Sequence, residues 1–372
     1  MMSMSKGISR RRFAAGAVAS AAGFALPSAR ACAQDEQRVL RILGWPSYFA
    51  DAITAPFREA NNVRIEITGI ATADDTMLFL RAGGVGVYDI VAPTIGLVNP
   101  LGIAGLLSPL DPALLPNASG LFPQFQNRPE TLVDDEPFGI PLLWGSFSLA
   151  YAADRANPPA EWITLRDDTY NGQLVMPDDG LSHFWIWNWA LGAEDPTRVS
   201  KETLENTADV LIELKQRRAA SFGGSAYDAM MKVANGTGQF STIGWQSAPL
   251  LTNPDQQALA VSQPAPGCAS FCDCIAMVAN SHDPDLAQQF IDYMISPVAQ
   301  RDLVDRTRWA TVSQGAPGMI DPAIATLYPY EDIDAWMIGA PIRSYPPVSS
   351  DGDTATYLDW ITQWDRVRQA KL

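Results

Sequence analysis

Between residues 39 and 92 the apolar pattern switches repeatedly between strand and helix periodicity, and that alternation restricts the chain to a layered α/β fold. Residues 39–44 (VLRILG) are predicted as a strand, and Trp45-Pro46-Ser47-Tyr48 as a loop because of its proline. Phe49, Ile53 and Phe57 then recur at helical spacing, and residues 63–68 alternate as a strand. Residues 74–82 read as a helix with Asp74 or Asp75 near its start, where a carboxylate suits the dipole. Residues 88–92 form a short apolar strand closed by Pro93. Ligands on open sheets of this kind sit beyond the carboxyl ends of the strands. Trp45 to Tyr48 and Thr94 to Gly96 occupy that position.

The rest of the chain repeats the theme. Residues 140–152 (IPLLWGSFSLAYA) are predicted as a long strand leaving a first lobe for a second. A strand at 173–176, a loop at 177–180 and an aromatic helix follow; Trp185, Trp187 and Trp189 on that helix read as core and lobe-surface rings. Residues 201–217 are amphipathic, with Leu204, Ala208, Leu211 and Leu214 on one side. A strand at 240–244 ends at Trp245, and a strand at 272–279 crosses back. A helix at 285–295 is stopped by Ser296-Pro297, and residues 354–369 form the last helix. The expected lobes are 37–143 plus 276–308, and 144–275 plus 309–372.

Ser9-Arg10-Arg11-Arg12-Phe13, the uncharged run 14–26 and Ala31-Cys32-Ala33 follow the order of a removable twin-arginine leader, residues 1–33. The run is too short to span a bilayer, which takes about 20 apolar residues. The mature chain is then expected in the periplasm, with 21 basic against 41 acidic residues and a formal charge of −20. Such a balance excludes nucleic acid and anionic membrane surfaces as partners and is compatible with a cationic ligand. Cys32 leaves with the leader; as a lipid-modified first residue it would follow Ala29-Arg30-Ala31, which lacks the usual Leu. Cys268, Cys272 and Cys274 remain, an odd count that leaves at least one thiol unpaired. Their spacing is not a standard zinc pattern, and only His183 and His282 could assist, so packing thiols are expected and no metal site. Among possible bridges, Cys268 to Cys272 or Cys274 is less strained than Cys272 to Cys274.

The strings GWPSY, YDIVAPT, IPLLWGSFSLAY, GQLVMPDD and CDCIAMVAN, with the helix ending FIDYMISPVAQ, occur in the order seen in a known family. Across nearly the whole mature chain they resemble the periplasmic spermidine/putrescine-binding proteins, the substrate-capturing components of polyamine ABC transporters. The resemblance implies two α/β lobes of the type II periplasmic binding fold, each a mixed, mostly parallel sheet flanked by helices and hinged at crossing strands. It implies a monomer that binds a small cationic amine between the lobes, docks on an inner-membrane permease and needs no cofactor. It also carries ligand contacts onto Trp45, Tyr48, Thr94, Asp179, Trp245 and Asp273, with Phe271 and Trp309 standing where the family usually has Trp and Tyr. Three positions depart from it: Gly96 replaces a tyrosine, Pro46 a hydroxyl residue and Ser182 a glutamate that contacts the distal amine. The family's late glutamine finds no counterpart around residues 345–351.

The residue chemistry agrees with that assignment. Ammonium groups need carboxylates, and methylenes suit flat rings; a cation over a ring contributes about 0.5–2 kcal/mol. Without the glutamate, a shorter diamine or a guest with one strongly cationic end also fits. Asp273 is the strongest candidate, because on a strand it shares a face with Phe271 while Cys272 and Cys274 take the other. Its structural alternative is an internal ion pair with Arg308; that of Asp179 is a helix cap. A different guest, an opine, amino acid derivative or aminophosphonate, would require an arginine in the cleft, for which Arg308 and Arg343 are candidates. An exported enzyme is the competing class, but G-x-S-x-G, H-E-x-x-H and G-x-G-x-x-G are all missing and two histidines support no common triad.

Overall fold

The computed structural model describes residues 37–70, 72–350 and 352–372, so the leader expected at 1–33 lies outside the described residues. Among these, the chain runs β1 (Arg38–Gly44), α1 (Asp51–Asn61), β2 (Val63–Gly69), α2 (Ala73–Phe79), β3 (Ile90–Val91) and α3 (Ile95–Ile103). A small hairpin of β4 (Leu132–Val133) and β5 (Glu136–Pro137) precedes the long β6 (Ile140–Ala152). Next come β7 (Leu174–Met176), α4 (Gly180–Ala190), α5 (Lys201–Arg217), β8 (Ala219–Phe222), α6 (Ala226–Ala234), β9 (Phe240–Gly244), β10 (Leu259–Ser262) and β11 (Ala269–Met277). The chain closes with α7 (Pro284–Met294), α8 (Pro297–Thr307), β12 (Ala310–Thr311), α9 (Pro322–Ala325), α10 (Ile333–Gly339) and α11 (Tyr357–Gln369).

One ten-stranded sheet runs through the molecule in the order β2-β1-β3-β11-β6-β9-β7-β8, with β10 and β12 also paired to β6. β1, β2 and β3 are parallel, as are β7, β8 and β9. β11 and β6 run antiparallel to each other and connect the two parallel sets. Both strands divide their burial between two cores. Leu142, Leu143 and Trp144 join a first cluster with Leu40, Ile42 and Phe290, whereas Leu149 joins a second with Trp162, Trp187 and Leu211. Likewise Cys272 and Ile275 lie in the first cluster and Ala269 in the second.

Several local readings change, and three of them bear on the site. The Trp45–Tyr48 loop is a 3-10 turn, Pro46–Phe49, because a proline at the first helical position loses no bond it would have made. The 272–279 strand begins three residues earlier, at Ala269. Ser296-Pro297 does end α7, but Ser296 also caps α8, with its side chain accepting from the Ala299 amide, and Pro297 opens that helix. The packing also splits the segment expected wholly in the second lobe. Ala310, Val312, Ile324 and Ile342 bury in the first cluster, and only Ala355, Trp360, Trp364 and Val367 bury in the second. The reason is β12, which pairs with Trp144 and Leu143 at the first-cluster end of β6.

Cys268, Cys272 and Cys274 are buried free thiols. Cys268 sits against Ser148 and Gln263, away from the core that takes Cys272 and Cys274. Burial pushes the Cys268 thiol up to about 11. Among the described residues no helix is long and apolar enough to cross a membrane.

β6 and β9 approach closely at one point: a Cβ on Gly244 would lie 2.3 Å from the Ala150 Cβ and 2.9 Å from its backbone nitrogen. Since backbone cannot step aside as a side chain can, Gly244→Ala is expected to cost about 1–3 kcal/mol of stability. A lower urea midpoint at unchanged slope is the readout; an unchanged midpoint would show that the strands are not this close.

Candidate functional site

A cavity of about 640 Å³ opens at the carboxyl ends of the β1 and β3 connections and takes its walls from both core clusters. All eight residues expected from the sequence, Trp45, Tyr48, Thr94, Asp179, Trp245, Phe271, Asp273 and Trp309, line it.

β11 supplies the floor. Its alternation turns Phe271 and Asp273 to the cavity and Cys272 and Cys274 to the core. A register shift between Asp273 and Cys274 interrupts the pairing with β6 at this point, and the Cys274 amide donates to the Pro93 carbonyl instead. Thr94, the residue just before α3, bridges Asp273 through the backbone. The turn after β1 then brings the Tyr48 hydroxyl onto the acid, donating to Asp273 Oδ2 at 2.5 Å. Asp273 is 7% exposed. Burial pushes its carboxyl up to about 7, against the opposing effect of the Tyr48 hydrogen bond. Burial and the neighbouring Asp273 push the Tyr48 phenol well above its ordinary value. Among the described residues no Arg, Lys or His pairs with Asp273; the expected alternative partner, Arg308, instead ends α8 in a left-handed conformation.

Beside the acid stands a chain of rings. Phe147 and Phe271 lie 5.1 Å apart, Phe271 meets Trp309 edge-on at 4.8 Å, and Trp309 meets Trp245 edge-on at 4.8 Å. Gly145 makes room for this group, since a Cβ there would fall 2.7 Å from the Phe271 ring.

The opposite wall is the start of α4. Asp179 caps that helix, Oδ1 accepting from the Ser182 amide at 3.0 Å and Oδ2 from the Ser182 hydroxyl at 2.7 Å. The cap and the cavity position therefore coexist in one residue. His183 holds this turn from behind, Nδ1 at 2.6 Å from the Asp179 carbonyl and Nε2 at 2.8 Å from the Thr242 hydroxyl. A carbonyl only accepts, so Nδ1 carries the proton, and burial lowers the ring's pKa.

The sequence reading missed the contribution of the carboxyl-terminal segment. Tyr345, Tyr357, Trp360, Ile361, Trp364 and Arg368 all line the cavity. The i, i+4, i+8 spacing of Trp360, Trp364 and Arg368 was the available signal, because it sets them along one helix face. Trp364 Nε1 donates to Asp178 Oδ1 at 2.7 Å, and Arg368 Nε donates to the same oxygen at 2.8 Å. Arg368 also pairs with Asp365 at 3.2 Å. The two arginines considered for an acidic guest do not line this cavity; Arg343 pairs with Asp195 at 3.6 Å in a separate surface cleft. Trp185 and Trp187 pack in the second core. Among the described residues no group of His, Cys, Asp and Glu could hold a metal ion.

Comparison with known proteins gives this arrangement a context. Residues 52–330 match the family model described as bacterial extracellular solute-binding protein. A spermidine/putrescine-binding periplasmic protein of Escherichia coli (strain K12) is 23% identical over 326 residues, covering 86% of this chain and 90% of that relative. The spermidine/putrescine ABC transporter substrate-binding protein of Streptococcus pneumoniae superposes with a TM-score of 0.73 at 17% identity, covering 89% of this chain and all of the other. A periplasmic binding protein of A. tumefaciens R10 in complex with agropinic acid superposes with a TM-score of 0.61 at 17% identity, covering 89% and 96% of the two chains. The fold is thus the two-lobed one of periplasmic binding proteins, and with three-quarters of its length inside the family model the chain belongs to the bacterial extracellular solute-binding proteins, which capture solutes and are not enzymes.

Proposed function

We propose that this chain captures a small polyamine of the putrescine and spermidine class in the periplasm and delivers it to an inner-membrane ABC permease. The observation that carries the reading is Asp273: a carboxylate buried in a cavity wall, hydrogen-bonded to Tyr48, with no cationic partner among the described residues. An unpaired buried charge is costly, and a guest ammonium would remove that cost. The neighbouring rings offer faces to the methylenes. The names of relatives such as the E. coli protein point to the same guest class.

Charge matching favours two ammonium groups. Among the described residues three carboxylates line the cavity, and Asp178 is committed to Arg368 and the Trp364 indole. Asp273 and Asp179 remain without a cation among the described residues, one on each wall. A diamine satisfies both, whereas the third ammonium of spermidine would find no acid. Titration calorimetry with putrescine, cadaverine and spermidine tests this; tighter binding of spermidine than of either diamine would refute the count. In this reading the guest is held between the lobes, β6 and β11 act as the hinge, the working form is a monomer, and export follows the twin-arginine route.

One observation favours a second reading: Arg368 lines the cavity and could meet an acidic group on a zwitterionic guest. Its existing pairs are partly solvent-exposed and worth little, so Arg368→Met is expected to leave diamine affinity within about threefold. A loss of all binding in that variant would favour the zwitterion.

A further inference from the structure

We propose that Tyr345 is a ligand-contacting wall of this cavity and that the missing side chain of Gly96 sets its place, an inference resting on the amine-capture reading above. Gly96 stands in the first turn of α3, two residues after Thr94, which bridges Asp273. A Cβ built there would lie 2.8 Å from Tyr345 Cδ1, 2.9 Å from Cγ and 2.9 Å from the Tyr345 backbone nitrogen. Its φ is not positive, so no backbone conformation requires glycine; the requirement is for space.

The segment that brings Tyr345 here is fixed at both ends. The Gly339 carbonyl accepts from the Cys268 amide at 2.8 Å, and the Ala340 carbonyl accepts from the Ser270 hydroxyl at 2.6 Å. The strap therefore leaves directly from the strand that carries Phe271 and Asp273. At its far side the Pro347 carbonyl accepts from the Tyr357 amide at 2.8 Å. The Tyr345 and Tyr357 rings stack at 6.2 Å with 7° between their planes, and both line the cavity. Ile342 is buried in the first core and Ala355 in the second, so the strap crosses from one to the other beside the cavity. A half-buried ring held between Gly96 and the Tyr357 ring offers its remaining surface to the guest's methylenes and ammonium groups.

The test is a set of variants titrated with putrescine alongside thermal melts of the unliganded proteins. Tyr345→Ala and Tyr345→Leu are expected to weaken binding about tenfold, and Tyr345→Phe, which keeps the ring, to stay within about threefold. Gly96→Ala is expected to weaken binding about tenfold by displacing the ring, and to add nothing in a Tyr345→Ala background. Wild-type affinity in both the Ala and Leu variants, with Asp273→Asn still losing binding, would overturn the role of Tyr345. Additive losses in the double variant would overturn the link to Gly96. An unsubstituted protein that binds no amine would instead overturn the functional reading, and this inference with it.

Discussion

Asp273→Asn is expected to weaken diamine binding by about a hundredfold or more while leaving the unliganded protein as stable or more stable above pH 7. The first effect follows from breaking a buried charge pair in the complex, which costs about 3–5 kcal/mol. The second follows from the empty site. There the carboxylate is buried, with the Tyr48 hydroxyl as its one side-chain hydrogen-bond partner among the described residues, and burial pushes its pKa to about 7. Ionising it in the folded state is therefore unfavourable, and the amide removes that penalty while still accepting from Tyr48. The opposite signs separate this assignment from a structural ion pair, because an acid paired internally with an arginine would lose stability on amidation. Calorimetry with putrescine and a thermal melt at pH 8 give both readouts. Wild-type affinity, or a large drop in melting temperature, would each defeat the assignment.

Diamine affinity is expected to fall as pH drops below 7, approaching tenfold per unit and about a hundredfold at pH 5. The folded-state pKa of Asp273 is raised, so between the ordinary carboxylate range and about 7 the folded chain holds a proton that the unfolded chain has lost. This group's contribution to stability is accordingly greatest at low pH, declines as pH rises towards 7 and is level above that. Binding has the opposite dependence, because the guest needs the ionised acid and must displace the proton below pH 7. The Tyr48 phenol stays protonated throughout, held well above its ordinary value by burial and by Asp273. Calorimetry in buffers of different ionisation enthalpy should show proton release near pH 6 in the native protein and none in Asp273→Asn. A flat affinity profile from pH 5 to 8 would rule out Asp273 as the ammonium's partner.

Much of this site was readable from residue order. β6, α5 and β9 have the bounds that periodicity assigned, because each is long or regular enough for local pattern to dominate. Phe271 and Asp273 share the cavity face as strand alternation requires. The misses have specific causes. Pro46 and Pro297 were read as breakers although each opens a helical turn, a position where the missing N–H costs nothing. The 309–372 segment was assigned to one lobe because its apolar pattern does not say which core receives it, and β12 on β6 decided the matter. Tyr345 had no local signal, since its position depends on a glycine some 250 residues earlier.

By itself the sequence determined the α/β layering and the strand that faces Asp273 inward, since both follow from periodicity within short windows, whereas the aromatic wall positions were legible only through the family resemblance. Only the tertiary structure decided that Asp273 meets a tyrosine rather than an arginine, that Arg368 neutralises Asp178 and that α11 and Tyr345 complete the cavity. Such pairings join residues far apart in the chain, and no local propensity encodes which distant side chain will reach a given buried charge.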